Sequence, residues 1–521
     1  MVDAGGAAAL RTLDREALEA LVLTLQSDLG AHQEQLLSRD NEIEHLKLMI
    51  AKLKRMMFGR KSEKVSREIE QLELKLEELE TRQAERAAAS PVSSPSKNKP
   101  TRGPLPEHLP REVHTHLPVE DACPECGGGL RKLGEDVSEI LEYVPESFKV
   151  IRHVRPKLNC TKCDVVVEAP APSRPIERGL AGPGLLAHVL VSKYADHCPL
   201  YRQSEIYARQ GVDLGRSTLA DWVGAASHLL TPLVDQVRKH VLAATKVHAD
   251  DTPVPVLAPG TGQTKTARIW TYVRNDRPAG DDAPPAVWFA YSEDRKGEHP
   301  KRHLSSFSGI LQADAYAGFH HLYEGGRIVE AACWAHVRRK FYDIHAATGS
   351  AIAGEAVECI GRLYDIEREI RGKPADVRCE VRQARARPLM DDLHRWLNKT
   401  LTGLSRKSDT AAAIRYALSR WRALCRYLDD GQIEIDNSGA ERALRAIALG
   451  RKNFLFFGSD SGGENAAAIY TLLGTAKLNG LDPELYLRHV LERIADHPVN
   501  RLQKLLPWNL AVSLPTHLAP A

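Results

Sequence analysis

Three acidic segments hold the residues with the clearest chemistry: His248-Ala-Asp-Asp-Thr252, Leu311-Gln-Ala-Asp-Ala315 and Asp436-Asn-Ser-Gly-Ala-Glu-Arg442. The first two set a carboxylate in an apolar run that reads as a strand. Clustered carboxylates suit hard divalent cations such as Mg²⁺. Two such ions about 4 Å apart activate an attacking oxygen and stabilise the leaving one in an in-line displacement. The chemistry expected is two-metal phosphoryl transfer on DNA. A single Asp or Glu of a soluble chain is more often solvated or ion-paired than a ligand, so the surrounding elements must decide.

Those elements alternate as strands. Lys246-Val-His-Ala-Asp250 runs into Val254-Pro-Val-Leu257, followed by Ile269-Trp-Thr-Tyr-Val273 and Val287-Trp-Phe-Ala-Tyr291, which predicts three consecutive antiparallel strands. Asp314 follows Gly309-Ile-Leu311 in a fourth, and Ile328 to Cys333 makes a fifth before a helix over Trp334 to Phe341. Glu441 falls where Ala440 to Gly450 reads as a helix. Acids on the first strand, the fourth strand and a late helix make a ribonuclease-H-like layout.

At these motifs the chain resembles the insertion-sequence-66-type transposases of bacterial mobile elements. The carrying residues are His248 to Val254, Leu311 to Gly318, Cys333-Trp-Ala-His-Val-Arg-Arg-Lys-Phe341, Asp436 to Arg445, Gly450 to Phe456 and Thr475 to Pro483, and the resemblance covers nearly the whole chain. It implies a DDE transposase whose catalytic acids, and ligands of two Mg²⁺ (or Mn²⁺) ions, are Asp250, Asp314 and Glu441. Asp251 stands where many relatives carry Glu. Strand alternation sends Asp250 and Asp251 to opposite faces, and the Asp-x-Thr setting of Asp250 matches the family pattern. The implied activity is cleavage and transfer of DNA strands at element ends. The implied partners are terminal inverted repeats, target DNA and small companion proteins of the same element. A catalytically silent DNA-binding regulator derived from such a transposase is the alternative.

A chain of 521 residues makes several domains, and its net charge of +3 announces no global field for nucleic acid. Basic residues are local, in Lys52 to Lys64, Lys97 to Arg102, Arg338-Arg-Lys340 and Arg442 to Lys452. Arg442, Arg445, Arg451 and Lys452 are accordingly expected to hold DNA phosphates. No apolar run reaches membrane-spanning length and no charged-then-apolar leader is seen, so a bacterial cytoplasmic protein, nucleoid-associated when bound to DNA, is expected. Nine Cys suit a reducing compartment better than a disulfide framework.

Val22, Leu29, Leu36, Ile43, Ile50 and Met57 recur at heptad spacing, with Leu25, Leu46 and Leu53 in the companion register, which predicts a coiled coil that makes a homo-oligomer. His32 and Arg39 interrupt the seam. A second run, Ile69, Leu72, Leu76 and Leu79, follows Phe58-Gly59 and either folds back or continues. Beyond an Ala/Ser/Pro-rich linker, Cys123-Pro-Glu-Cys126 and Cys160-Thr-Lys-Cys163 form two Cys-x-x-Cys knuckles whose four thiolates suit one tetrahedral structural Zn²⁺. Gly127-Gly-Gly129 supplies the positive φ such turns need, and the alternating Ile140 to Val144 and Val150 to Val154 read as a hairpin, giving a zinc ribbon. Cys333 and His336 alone are two ligands, short of a site.

Gly184 to Asp196, Tyr201 to Gln210 and Ser217 to Ala226 read as three helices, the last capped by Ser217, in a helix-turn-helix-like arrangement. Arg202 and Arg216 are expected to contact DNA from it. The fold class is therefore multidomain α+β. Its parts are a coiled-coil arm (1–87), a flexible linker (88–103), a zinc ribbon (104–172), a helix-turn-helix-like region (173–240) and a ribonuclease-H-like α/β catalytic domain (241–495). That domain carries a helical insertion at about 342–432, and a C-terminal element (496–521) comes after it.

Overall fold

The computed structural model describes residues 105–514, apart from 119–121, 145–146, 178, 259–262 and 454–455, together with scattered arm positions between Ile43 and Thr81. The seam residues Val22, Leu25, Leu29, Leu36, Leu53, Met57 and Ile69 and the linker 88–103 lie outside the described residues. The described arm positions are helical, and Ile43, Leu46 and Ile50 pack on Leu72, Leu76 and Leu79. The two heptad runs of one chain thus cover each other there.

The cysteine-bearing region is a four-stranded sheet. Strands β2 (Leu130–Val144) and β3 (Ser147–Cys160) form the expected hairpin, with Ile140 opposite Ile151. Strand β1 (Arg111–Thr115) lies parallel to β3, and β4 (Val166–Glu168) antiparallel to it. Glu142 ties this sheet to the helical region: its buried carboxylate accepts from Leu185 N at 2.7 Å, in the first turn of helix α1 (Pro183–Tyr194). A helix N-terminus leaves donors unsatisfied, and this carboxylate takes one.

Helices α2 (Leu200–Arg209) and α3 (Arg216–Leu242) complete the helical region. The pattern of residues predicts an end to the third helix at Ala226, but α3 runs on to Leu242 through Pro232. Proline inside a helix costs about 3 kcal/mol. Leu230, Leu233, Val237 and Val241, all fully buried, each contribute about 1.5–3 kcal/mol on burial, so packing wins. Ser217 is not the cap either: Gly215 holds that position with no side-chain bond, and its carbonyl accepts from Leu219 N at 3.2 Å.

The second sheet has strand order β7-β6-β5-β8-β9. Strands β5 (Lys246–Leu257), β6 (Thr264–Arg274) and β7 (Ala286–Ser292) are antiparallel, as expected. Strands β8 (Gly309–Ala313) and β9 (Ile328–Ala331) are parallel to β5. Pro253 and Pro255 do not break β5. The Pro255 carbonyl accepts from Phe457 N at 2.8 Å, away from β6, so the missing N–H groups at these alternate positions remove no bond of the β5–β6 ladder. β8 leaves β5 after the Ala249–Ala313 pair, which opens a crevice at the carboxyl end of the two parallel strands.

The segment between β9 and the last acidic motif is helical, as expected, and has its own core. Helices α4 (Trp334–Thr348), α5 (Ala351–Ile370), α6 (Arg387–Thr402) and α7 (Asp409–Ser419) enclose Trp334, Phe341, Ile360, Leu363, Met390, Leu393 and Ile414. Inside it Arg382 pairs with Glu367 at 2.7 Å, and Arg378 with Glu367 at 3.3 Å and Glu434 at 2.8 Å. The chain then returns along the sheet as helix α8 (Ser438–Asn453), succeeded by α9 (Asp460–Leu478) and α10 (Pro483–Leu491). The edge strand β7 is covered by α9, whose Thr471 and Thr475 hydroxyls accept from Phe289 N and Val287 N at 2.9 and 3.2 Å. Gly463 permits this approach, since a Cβ there would lie 2.3 Å from the Tyr291 ring.

Candidate functional site

The return segment aims the late acidic motif. Lys246, fully buried on β5, donates to Gln432 O at 2.7 Å and pairs with Asp276 at 3.4 Å. Gln312 on β8 bonds the Glu434 backbone in both directions, at 2.5 and 3.3 Å. Asn437 then locks the start of α8. Its Nδ2 donates to Ala249 O at 2.8 Å, on the last β5 residue paired with β8, and its Oδ1 meets His248 Nδ1 at 3.1 Å. Burial holds His248 down at about 3, so its imidazole is neutral. Glu441 is thereby delivered in the first turn of α8 beside β5.

Asp250 occupies β5 one residue beyond the last β8 pair, and Asp314 follows the last residue of β8. Burial pushes the Asp250 carboxyl up to about 7, and the negative charges of Asp314, Asp251 and Glu441 push the same way, against one bond from Asp251 N at 2.8 Å. The three acids predicted from sequence are thus close enough to act on each other electrostatically. Their oxygens do not all lie within 4.8 Å of one another in the way the cysteine sulfurs do.

Asp251 points elsewhere. Its side chain, 1% exposed, pairs with Arg268 at 3.0 Å and with Arg295 at 2.7 Å. Arg295 also reaches Asp314 at 3.9 Å and stacks 4.1 Å over the Tyr316 ring. It therefore spans the two acidic segments, and nothing in its sequence neighbourhood signalled this. His336 is the other residue that sequence reasoning undervalues: its Nε2 lies 3.8 Å from Glu441.

Of the basic residues expected at DNA, Arg442, Arg445 and Lys452 are exposed on α8, while Arg451 donates to Pro253 O at 2.6 Å. Arg202 is exposed on α2, near the Tyr201 hydroxyl at 3.1 Å. Arg216 differs from expectation. It lies under the arm, its side chain 18% exposed and 3.6 Å from Glu80. Glu77, also from the arm, takes Lys193 and accepts from Leu200 N at 3.0 Å, at the start of α2. Arm carboxylates thus sit where the helix-turn-helix-like region presents cations and free helix donors.

The four knuckle sulfurs converge in the first sheet, with Cys123–Cys163 at 3.3 Å, Cys126–Cys160 at 3.4 Å and Cys126–Cys163 at 3.2 Å. Gly127 takes φ +64 in the first knuckle, and a Cβ on Gly128 would stand 2.9 Å from Cys160 Sγ. The second knuckle makes the same turn with Asp164 at φ 56, a residue type that tolerates this region. Four soft donors within 4.8 Å of one another fit a structural Zn²⁺.

Sequence comparisons agree with this layout. Residues 178–465 match the Transposase IS66 family, and residues 120–164 the zinc-finger binding domain of transposase IS66. Residues 45–113 match a segment described as Transposase C of IS166 homeodomain, and 471–508 the IS66 C-terminal element. The chain belongs to the IS66 transposase family. Among its relatives are two uncharacterized proteins of Sinorhizobium fredii. The protein y4hP is 42% identical over 89% of this chain and 88% of its own length, and y4qI is 39% identical over 95% and 97%.

Proposed function

We propose that this protein is the transposase of a bacterial insertion sequence, binding the element ends and cutting and joining DNA strands at the Asp250 crevice. The observation that carries the reading is the state of Asp250, pushed up to about 7 by burial and by the charges of Asp314, Asp251 and Glu441 at the open end of two parallel strands. A carboxylate cluster that cannot comfortably ionise alone is one prepared for cations. The strand order, with three antiparallel strands and two parallel to the first, supports a ribonuclease-H-like catalytic domain over 241–495 with its helical insertion at about 342–432.

Bound divalent ions of the Mg²⁺ or Mn²⁺ class would activate the attacking oxygen and stabilise the leaving 3′ oxygen. Asp250, Asp314 and Glu441 would hold them through hard oxygen donors, and Arg295, paired with Asp251, reaches the Asp314 carboxylate at 3.9 Å. Water attack on a phosphodiester releases a 3′-hydroxyl, which then attacks a phosphodiester of target DNA and displaces its 3′ oxygen. Arg442, Arg445, Arg451 and Lys452 line one helix with Glu441 and would position phosphates. The ribbon and helix-turn-helix-like regions, with Arg202 and Arg216, would read the element ends, and the N-terminal zipper would pair subunits. Such a protein works in the bacterial cytoplasm, at the nucleoid. Among the described residues no helix is long and apolar enough to cross a membrane.

The test is incubation of the protein with Mg²⁺ and DNA bearing its own element ends. Strand cleavage and joining by the wild type, lost in Asp250→Asn, Asp314→Asn and Glu441→Gln with DNA binding retained, supports the reading. Binding without cleavage by the wild type indicates a silent regulator instead.

A further inference from the structure

A second set of metal donors converges on Glu441 from the helical insertion. Cys333 is the N-cap of α4 and His336 lies three residues on. N-cap and third-position side chains face each other across the first helical turn, so Cys-x-x-His here presents a thiol and an imidazole on one side. The start of α4 is fastened to the start of α8: Trp334 N donates to Ile435 O at 3.1 Å, and Asn437 N to Cys333 Sγ at 3.2 Å. Glu441 is one turn along α8. Ligand atoms of Cys333, His336 and Glu441 consequently all lie within 4.8 Å of one another.

The His336 imidazole turns one ring nitrogen toward the Glu441 carboxylate without bonding to it. Its Nε2 stops 3.8 Å from Glu441 Oε1, too far for a hydrogen bond. Nitrogen and oxygen donors bound about 2.0–2.2 Å from a tetrahedral ion stand roughly 3.3–3.6 Å apart, so an ion would draw this pair together by a few tenths of an ångström.

We propose that Cys333, His336 and Glu441 form a transition-metal site of the Zn²⁺ class, with a fourth position open and Glu441 shared with the Asp250 centre. Thiolate and imidazole select such ions over Mg²⁺, which takes oxygen donors and keeps its water. Binding at this site stands on its own geometry; its part in catalysis rests on the transposase reading above.

Co²⁺ reports the site directly, because a thiolate ligand gives it a near-ultraviolet charge-transfer band and a tetrahedral field gives strong visible bands. The full-length protein, its four-cysteine finger already filled with zinc, is titrated with CoCl₂. One further equivalent should bind with a single-thiolate band. Cys333→Ser should abolish that band, and His336→Ala, which keeps the buried thiol and so the packing, should weaken Co²⁺ binding by more than about tenfold. Asp250→Asn should leave the band intact. No additional thiolate band in the wild type, or a band that survives Cys333→Ser or is unmoved by His336→Ala, overturns the proposal. A wild type that cleaves element ends with Mg²⁺ but shows no band refutes this site alone, and one that shows the band but never cleaves refutes the transposase reading alone.

Discussion

Asp250 and Asp251 are sequence neighbours with opposite expected effects on stability. The folded Asp250 carboxyl sits at about 7 against an ordinary 3.8, so between those values the folded protein keeps a proton that the unfolded chain has released. Stability contributed by this group therefore falls as pH rises through that window and is level above it. Three pH decades at 1.36 kcal/mol each make the metal-free protein about 4 kcal/mol less stable at pH 8 than it would be with a neutral residue there. Asp250→Asn should thus stabilise the metal-free α/β region by up to about that amount at pH 8 and by roughly nothing near pH 4. Asp251→Asn should do the reverse, because it leaves Arg268 and Arg295 without their buried carboxylate. Breaking a buried pair costs about 3–5 kcal/mol, and the partial exposure of Arg295 puts this case near or below the lower end. The assay is hydrogen exchange of β5 and β6 amides in the two variants at pH 5, 7 and 8, extrapolated to a common intrinsic rate, with and without Mg²⁺. A metal-free Asp250→Asn protein no more protected than wild type at pH 8, or a gain that does not grow with pH, would refute the reasoning. So would an Asp251→Asn protein as stable as wild type.

One zinc per chain should copurify with the protein, and Cys160→Ser should release it and unfold the ribbon, read by metal analysis and by loss of amide protection in β2 and β3. Removing residues 1–87 should lower the oligomer order in sedimentation; an unchanged stoichiometry would mean that the heptads serve only the contact within one chain. Glu80→Gln should strengthen binding to element-end DNA by freeing Arg216, whereas an unchanged affinity would show that Arg216 does not meet DNA. Arg442→Ala and Arg445→Ala should each weaken DNA binding almost equally across sequences, and each should reduce the slope of log affinity against log salt by about one.

The strands of the second sheet were legible because each is a short β-branched or aromatic run, and alternation set Asp250 and Asp251 on opposite faces, although the choice of Asp250 rested on its Asp-x-Thr setting. The observed pairing of Asp251 with Arg268 is what alternation requires, since Trp270 opposes Asp251 and Arg268 shares its face. Alternation could not supply what joins distant segments. Arg295 belongs to the loop after β7, and its two carboxylates lie 44 residues back and just beyond the end of β8. Likewise the full length of α3 was hidden because the burial that carries it past Ala226 and through Pro232 is contributed by the sheet and α9 and is invisible within the helix itself.

The arm illustrates the same limit with a functional consequence. Heptad spacing identifies an apolar seam but not what covers it, and here Ile43, Leu46 and Ile50 meet Leu76 of the same chain. Once the second run lies on the body, the polar residues beside its seam acquire partners no periodicity could name: Glu77 takes Lys193 and an α2 amide, and Glu80 takes Arg216. Burial raises the Glu80 carboxyl even with Arg216 and Lys47 beside it, so its desolvation is only partly offset. A DNA phosphate offers the same cations a charge with less burial of the anion, which makes the arm a competitor that DNA can displace. The sequence property that suggested dimerisation and the one that suggested DNA reading are therefore coupled through two glutamates. Changing Glu77 or Glu80 should move both arm docking and DNA affinity, in opposite directions.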